Sequence, residues 1–118
     1  MQVAAKRRWR DYRTRAGKRP VKEFIDRLSD SDAAAVIAGM KDVRKNGNRV
    51  ARHLGGDIYE LRVAGNRQAF RVLYATEGEH DQILLALEAF SKKTPKTPRP
   101  TLDLAKRRLA EWRSRARE

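Results

Sequence analysis

The sequence predicts one α+β domain over residues 1–118, in which an N-terminal helical hairpin packs on a twisted antiparallel sheet and a basic helix ends the chain. Apolar residues recur at helical spacing before residue 47 and after residue 100. Between residues 58 and 74 they instead alternate with a period of two, as in a strand. A chain of 118 residues has room for one hydrophobic core, which predicts a single domain.

The N-terminal part is expected to form a short strand followed by two helices. A basic arm over residues 1–8 leads into a short strand around Trp9. The first helix is predicted to begin at Pro20, because proline fits the first helical turn. The second is predicted to run from an N-cap at Ser31 to Gly47, since hydroxyl side chains cap N-termini and glycine favours C-termini. Two such helices in succession predict an antiparallel hairpin.

Three strands are predicted next, arranged as an antiparallel meander. The first covers residues 58–63, and a turn at residues 65–66 leads to the second strand over residues 70–74. The third strand, residues 83–90, is apolar at nearly every position, which predicts burial on both of its faces.

The last element is predicted to be a basic helix. Pro95, Pro98 and Pro100 disfavour a helix before residue 101, and Thr101 is predicted to cap a helix over residues 101–117. Its apolar stripe is narrow and the rest of its surface is mostly basic. Such a helix could lie on its own sheet, on a partner or along a phosphate backbone.

The formal net charge of +13 is concentrated at the two ends of the chain. Residues 1–20 and residues 91–118 each carry +7, whereas residues 21–90 carry −1. Basic arms around a neutral centre are typical of proteins that bind a polyphosphate, because Lys and Arg displace condensed counterions. An acidic protein partner is the alternative interpretation.

The composition excludes several classes of site. The chain has no cysteine and only two histidines, which leaves no disulfides, no thiolate ligands and too few imidazoles for an all-histidine zinc site. We therefore expect neither a metal nor another cofactor. No apolar stretch has the length of a signal peptide or a membrane span, so we expect a cytoplasmic protein.

Positive side chains gather on and beside the polar face of the predicted sheet. The set comprises Arg62, Arg67, Arg71, Lys92, Lys93 and Lys96. Cations that converge on one face repel one another unless an anion joins them, and a phosphate group is the natural guest. Glu60 is expected opposite Arg71, so a cross-strand salt bridge is the alternative role for that pair.

Four segments, in order, resemble the phage-derived HigB-like branch of the RelE toxin superfamily. They are Gly-Asp-Ile-Tyr-Glu-Leu-Arg at 56–62, Phe-Arg-Val-Leu-Tyr at 70–74, Ala-Phe-Ser-Lys-Lys-Thr-Pro-Lys-Thr-Pro at 89–98 and Leu-Ala-Lys-Arg-Arg-Leu at 104–109. Residues 17–24 are similar to the opening of that branch's first helix. The resemblance implies a small RelE-like fold, which agrees with the predicted order of elements.

The resemblance implies the toxin of a type II toxin–antitoxin system, a ribosome-dependent endoribonuclease that cuts messenger RNA without a metal. It also implies neutralisation by a HigA-like helix-turn-helix antitoxin, binding of operator DNA only through that antitoxin, and no membrane partner. The alternative is a non-nucleolytic relative, either a gyrase-inhibiting toxin or an accessory subunit of a DNA-binding repressor complex.

The resemblance also implies roles for individual residues. Arg71 matches the arginine of the superfamily's second meander strand and is expected to stabilise the phosphate during cleavage. Lys93, or Lys92 beside it, is expected to steady the phosphate or to donate a proton. The expected RNA-binding residues are Arg62, Arg67, Lys96, Arg107 and Arg108.

The sequence departs from the superfamily pattern in one respect. Some members carry a tyrosine after the basic residue as a candidate acid or base, and residues 94–101 contain none. His53 is the available substitute, because it stands where some relatives hold an active-site histidine and an imidazole titrates near neutral pH. A solvated loop histidine is the alternative. Glu60 is the second candidate for the base.

Overall fold

The computed structural model describes residues 6–92 and 96–116, which form one five-stranded sheet with helices on both faces. The elements are β1 (Arg8–Asp11), α1 (Pro20–Asp26), α2 (Asp30–Asn46), a 3₁₀ turn (Gly47–Val50), β2 (Arg52–Gly55), β3 (Ile58–Ala64), β4 (Ala69–Glu77), β5 (Ile83–Lys92) and α3 (Arg99–Arg115). The predicted α+β class and the C-terminal helix are confirmed.

The sheet is mixed, with strand order β1-β5-β4-β3-β2. Strands β3 to β5 are antiparallel neighbours, as predicted for the meander, and β2, which was not predicted, adds an antiparallel strand beside β3. The prediction of an entirely antiparallel sheet is corrected at β1, which runs parallel to β5 with Arg8 opposite Ile83. Parallel neighbours need a long crossover, and here it consists of everything between β1 and β5.

Each face of the sheet covers its own hydrophobic core. The helical hairpin packs on one face through Val36 and Val43, which are fully buried against the sheet. The C-terminal helix packs on the other face through Ala105 and Leu109. Strand β5, which lies between β1 and β4, contributes to both cores, which confirms the predicted burial on both of its faces.

The start of α2 differs from the prediction. Ser29, not Ser31, is the N-cap, because its hydroxyl accepts a hydrogen bond from the backbone N–H of Asp32 at 3.2 Å. Ser31 lies inside the first helical turn. The predicted end at Gly47 is confirmed, since this residue adopts a φ of 79° that favours glycine.

The C-terminal helix begins at Arg99, two residues before the predicted start at Thr101. Pro98 occupies the N-cap position and Pro100 lies within the first turn. The sequence interpretation treated Pro100 as a helix breaker, but the N–H that proline lacks has no helical partner in a first turn. Proline is therefore compatible with this position.

Side chains of α3 form polar contacts with the sheet and with residues beside it. Arg113 forms two 2.9 Å hydrogen bonds to the Glu77 carboxylate and a 2.9 Å ion pair with Asp57. The Tyr12 hydroxyl donates to Glu111 at 2.9 Å. Of the possible locations for this basic helix, the structure shows it on its own sheet.

The predicted basic arm over residues 1–8 is partly described. Residues 1–5 lie outside the described part of the chain, and Arg8 already belongs to β1. Arg7 donates hydrogen bonds to the backbone carbonyls of Arg44 and Lys45 at the end of α2. In the described ranges, no helix combines the length and apolar composition that a bilayer crossing requires.

Replacing Ser29 with alanine is expected to lower the free energy of unfolding by about 1 kcal/mol, because the helix loses its N-cap acceptor. Ser31→Ala is the matched control and is expected to change this free energy by less than about 0.5 kcal/mol, as for exposed substitutions in general. Urea denaturation at pH 7 measures both. A larger loss for Ser31→Ala than for Ser29→Ala would contradict the cap assignment.

Candidate active site

A cavity of about 560 Å³ opens between β2, β3 and the start of α3. Its polar lining includes Arg52, Glu60, Arg62, Lys96 and Thr97. Leu54 and Leu102 add an apolar part to the wall. The cavity therefore combines several cations with one carboxylate on the α3 face of the sheet.

Glu60 is the centre of this arrangement, with only 1% of its surface exposed. Its Oε1 atom accepts a 2.9 Å hydrogen bond from Nε of Arg62 and lies 3.6 Å from Nε of Arg71. Its Oε2 atom accepts a hydrogen bond from the hydroxyl of Thr97. Both carboxylate oxygens are thus engaged by the protein itself.

The β3–β4 register differs from the prediction by two residues. Glu60 lies opposite Leu73, and Arg71 lies opposite Arg62. The turn is centred further along than Gly65-Asn66, because the closing hydrogen bond joins the N–H of Gly65 to the carbonyl of Gln68. A shift of two residues keeps every side chain on its predicted face, so Glu60 and Arg71 still meet, along a diagonal.

The surroundings of Glu60 lower its pKa. Burial acts in the opposite direction, because it disfavours the charged carboxylate. The hydrogen bonds from Thr97 and Arg62, together with the charges of Lys92 and Arg62, outweigh burial. Glu60 is therefore an ionised buried group at neutral pH.

Arg71 is nearly as buried as Glu60, with 9% of its surface exposed. Its Nη1 atom donates to the carbonyl of Phe70 at 3.1 Å, and its Nε atom has no hydrogen-bond partner in the described structure. Burial lowers the pKa of Arg71, and the charge of Arg62 lowers it further, while Glu60 raises it. The group remains a cation and is oriented chiefly by the Phe70 carbonyl and by the attraction of Glu60.

The two candidate lysines of the resemblance are adjacent in sequence, and one of them can be located. Lys92 is the last residue of β5 and lies opposite Ala69. Burial and the nearby charge of Arg71 lower the pKa of Lys92, and its further charged neighbours are Glu60, Arg62 and Arg52. Lys93 lies outside the described residues.

His53 lies at the edge of the cavity and is paired with Tyr59 across the β2–β3 ladder. The imidazole packs against the ring of Tyr59, with the two centroids 4.9 Å apart, and Nε2 lies 2.7 Å from the carbonyl oxygen of Gly56. Tyr59 in turn stacks on Tyr74 in the core under the helical hairpin. The structure therefore does not bring the imidazole together with the Glu60 carboxylate.

The remaining predicted RNA-binding residues lie outside the central cluster. Arg67 is exposed in the β3–β4 turn, and Arg107 is exposed on α3. Arg108 instead faces the sheet, where it donates to the carbonyl of Leu87 at 2.7 Å and lies over the ring of Tyr12. Arg107 is thus presented to solvent, whereas Arg108 is engaged within the fold.

Two polar residues of the cavity were not predicted as site residues. Arg52 lies opposite Glu60 on β2, a strand of four residues that the sequence interpretation treated as a loop. Thr97 belongs to the proline-rich segment before α3, which has no periodic pattern. The only sequence signal for Arg52 was its nearness to His53, and Thr97 carried no signal of its own.

The cluster is chemically suited to an anion. Arg52, Arg62, Arg71 and Lys92 surround a single carboxylate, so a positive charge remains after Glu60 is compensated. A bound phosphate would reduce the repulsion among these cations. Within residues 6–92 and 96–116, no group of three or more His, Asp and Glu side chains could hold a metal ion.

Comparisons with known proteins agree on one family. Residues 23–110 match the family described as "Phage derived protein Gp49-like". The chain is also 36% identical over 116 residues to "Probable endoribonuclease HigB1" of Mycobacterium tuberculosis, in strains CDC 1551 / Oshkosh and ATCC 25618 / H37Rv. These alignments cover 93% of this chain and 88% of each relative.

The stabilising contribution of Glu60 is expected to depend on pH. Because the pKa of Glu60 is lowered from 4.5 in the folded state, its contribution is present above pH 4.5 and is lost as the pH falls through the folded value. Glu60→Gln is therefore expected to lower the free energy of unfolding by about 2 kcal/mol at pH 7 and by less at pH 3.

Urea denaturation of both chains at the two pH values measures this difference. Glu79→Gln, which changes an exposed turn residue, controls for the loss of one negative charge and is expected to have little effect at pH 7. An equal loss for Glu60→Gln at both pH values would contradict the pH dependence.

Proposed function

Because the chain belongs to the phage-derived Gp49-like family and is a HigB-like toxin of the RelE/HigB superfamily, we propose that it is a ribosome-dependent messenger RNA endonuclease. The single observation that carries the assignment of the active site is the convergence of cations on the buried Glu60 carboxylate. Arg52, Glu60 and Arg62 of this cluster line an open cavity, so a phosphodiester can approach them.

The proposed reaction is attack of a ribose 2′-oxygen on the adjacent phosphorus. The bond from phosphorus to the 5′-oxygen breaks, the 2′-hydroxyl proton passes to a base, and an acid protonates the leaving 5′-oxygen. The products are a 2′,3′-cyclic phosphate and a 5′-hydroxyl end. Negative charge develops on the phosphate oxygens, so fixed cations lower the barrier without needing a metal.

Arg71 is the residue we assign to transition-state stabilisation. It is held in a nearly buried position between the Phe70 carbonyl and Glu60, and a preorganised cation stabilises developing charge without reorganising during the reaction. Arg62, half-exposed and hydrogen-bonded to Glu60, is assigned to contact the same phosphate or its neighbour.

Proton transfer is assigned to the lysines rather than to Glu60. Both oxygens of Glu60 already accept hydrogen bonds, and its lowered pKa makes it a weak base. Burial and the adjacent charge of Arg71 lower the pKa of Lys92, which brings this lysine closer to the pH range of general acid–base work. Lys93 has the same chemistry one position later.

We further propose that the toxin is held inactive by a HigA-like helix-turn-helix antitoxin, which alone contacts operator DNA. The basic ends of the chain are assigned to bind ribosomal RNA. On the described surface, Arg67 and Arg107 are assigned as exposed RNA contacts, and Lys96 is assigned as a contact at the edge of the cavity. Phosphate contacts of this kind position a protein on RNA without reading its sequence.

A reconstituted translation system tests the proposal. The purified full-length chain is added to a translation mixture of defined components that contains one messenger RNA. Cleavage is mapped by primer extension with and without ribosomes. We expect cuts only when ribosomes translate the message, also in the presence of 1,10-phenanthroline, which removes transition metals and leaves Mg²⁺ for the ribosome. Growth arrest with intact messenger RNA and inhibited supercoiling would favour a gyrase inhibitor instead.

Arg71→Ala is expected to lower the cleavage rate in this system about 10²- to 10³-fold, as for loss of one transition-state donor. Arg27→Ala is the matched control, because it removes an exposed arginine at the end of α1, on the opposite side of the sheet. Urea denaturation verifies that the Arg71 variant is folded. A folded Arg71→Ala chain with full activity would contradict the assignment.

Lys92→Ala and Lys93→Ala separate the two candidate lysines. The lysine that exchanges the proton is expected to lose about 10²-fold or more in rate, since general acid–base catalysis contributes at least that much. The rates are measured across a range of pH in the same assay, with Lys41→Ala, an exposed lysine on α2, as the control. Losses below about tenfold for both variants would exclude either lysine as the essential acid or base.

A further inference from the structure

We propose that Thr97 is a positioning residue of this site, whose hydroxyl fixes the Glu60 carboxylate in the rotation that leaves Oε1 facing Arg62 and Arg71. The inference rests on the proposed ribonuclease activity and extends it to a residue outside the sheet. Thr97 itself contacts Glu60, and through Glu60 it acts on the two guanidinium groups.

Thr97 reaches Glu60 from a separate part of the fold. It lies between β5 and α3, half-buried at the wall of the cavity, whereas Glu60 lies in the middle of β3. Its hydroxyl donates to Oε2, the oxygen that Arg62 and Arg71 leave unused. The contact therefore joins the segment that leads into α3 to the centre of the sheet.

The carboxylate needs this second anchor because its own torsion is soft. The terminal torsion of a glutamate is broad, so one hydrogen bond on one oxygen does not define the orientation of the group. The bond from Arg62 comes from a side chain that is 43% exposed, and such pairs are weak. Thr97 has a short neutral side chain, so fixing it in one rotamer costs little conformational entropy.

Arg71 is the group that depends most on the orientation of Glu60. Its Nε atom is buried and makes no hydrogen bond in the described structure, so the 3.6 Å approach of Oε1 is the interaction that faces it. Rotation of the carboxylate would lengthen this approach and leave a buried cation less compensated. Thr97 thus helps to set the position of Arg71 by orienting Glu60.

The charged groups around Glu60 come from every strand that packs near it. Arg52 lies on β2, Arg62 on β3, Arg71 on β4 and Lys92 at the end of β5. Toward α3, Lys96 and the apolar Leu102 line the same cavity. These four charged neighbours are all cations. The hydrogen bond from Thr97 also lowers the pKa of Glu60, so removal of the Thr97 hydroxyl raises that pKa.

Two variants of the full-length chain test the role of the hydroxyl. Thr97→Val keeps the shape of the side chain and removes the donor, whereas Thr97→Ser keeps the donor. We expect Thr97→Val to cleave about 10- to 100-fold more slowly, as for a small misplacement of catalytic groups. The acidic limb of its pH–rate profile should move to higher pH, and Thr97→Ser should restore most of the rate and the wild-type profile.

The titration of the Glu60 carboxyl gives a readout that is independent of cleavage. Carbon-13 NMR of the glutamate side chains, with Glu60→Gln to assign the signal, should show a higher pKa for Glu60 in Thr97→Val than in the wild type. Should the valine variant fail to fold, Thr97→Ala carries the same expectations.

The outcomes separate the inference from the function on which it rests. A wild-type chain that does not cut messenger RNA would refute the proposed function, and the NMR titration would still decide whether Thr97 controls Glu60. An active wild type with an unchanged Thr97→Val variant would overturn the inference. Equal losses in the valine and serine variants would also overturn it, because the hydroxyl would then not be the cause.

Discussion

A buried carboxylate is stable only when other groups compensate its charge, and this requirement organises the α3 face of the sheet. Desolvation of Glu60 has to be balanced by donors within reach, and these come from four elements: Arg62 from its own strand, Arg71 from β4, Lys92 from β5 and Thr97 from the segment before α3. Arg62, Arg71 and Lys92, which compensate the charge of Glu60, are also the cations available to a phosphate.

The fold meets this requirement by covering the two faces of one sheet in different ways. The helical hairpin covers one face, with Phe70, Val72 and Tyr74 fully buried under it. The single helix α3 covers only part of the other face, where Arg113 and Arg108 fasten it to β4 and β5. The uncovered part of that face, beyond the start of α3, is where the cavity opens.

The parts of this arrangement that follow from local periodicity could be predicted from the sequence. Alternation along a strand is a local property, so the sequence analysis placed Glu60, Arg62 and Arg71 on one face, as observed. The register was wrong by two residues because it depends on the length of the β3–β4 turn. The pairing of β1 with β5 and the contact of Thr97 with Glu60 join residues far apart in the chain, and neither leaves a pattern in either segment alone.

The parallel pairing of β1 with β5 also sets the order in which the molecule can be completed. Strand β1 is synthesised first, yet its only partner strand in the described sheet is β5. Arg8 therefore cannot pair until Ile83 has been synthesised. Contacts of such long sequence separation form late and slowly. The α3 face of the sheet needs a still later segment, because Thr97 and α3 follow β5. The contact of Thr97 with Glu60 can therefore form only after the segment that follows β5 has been synthesised.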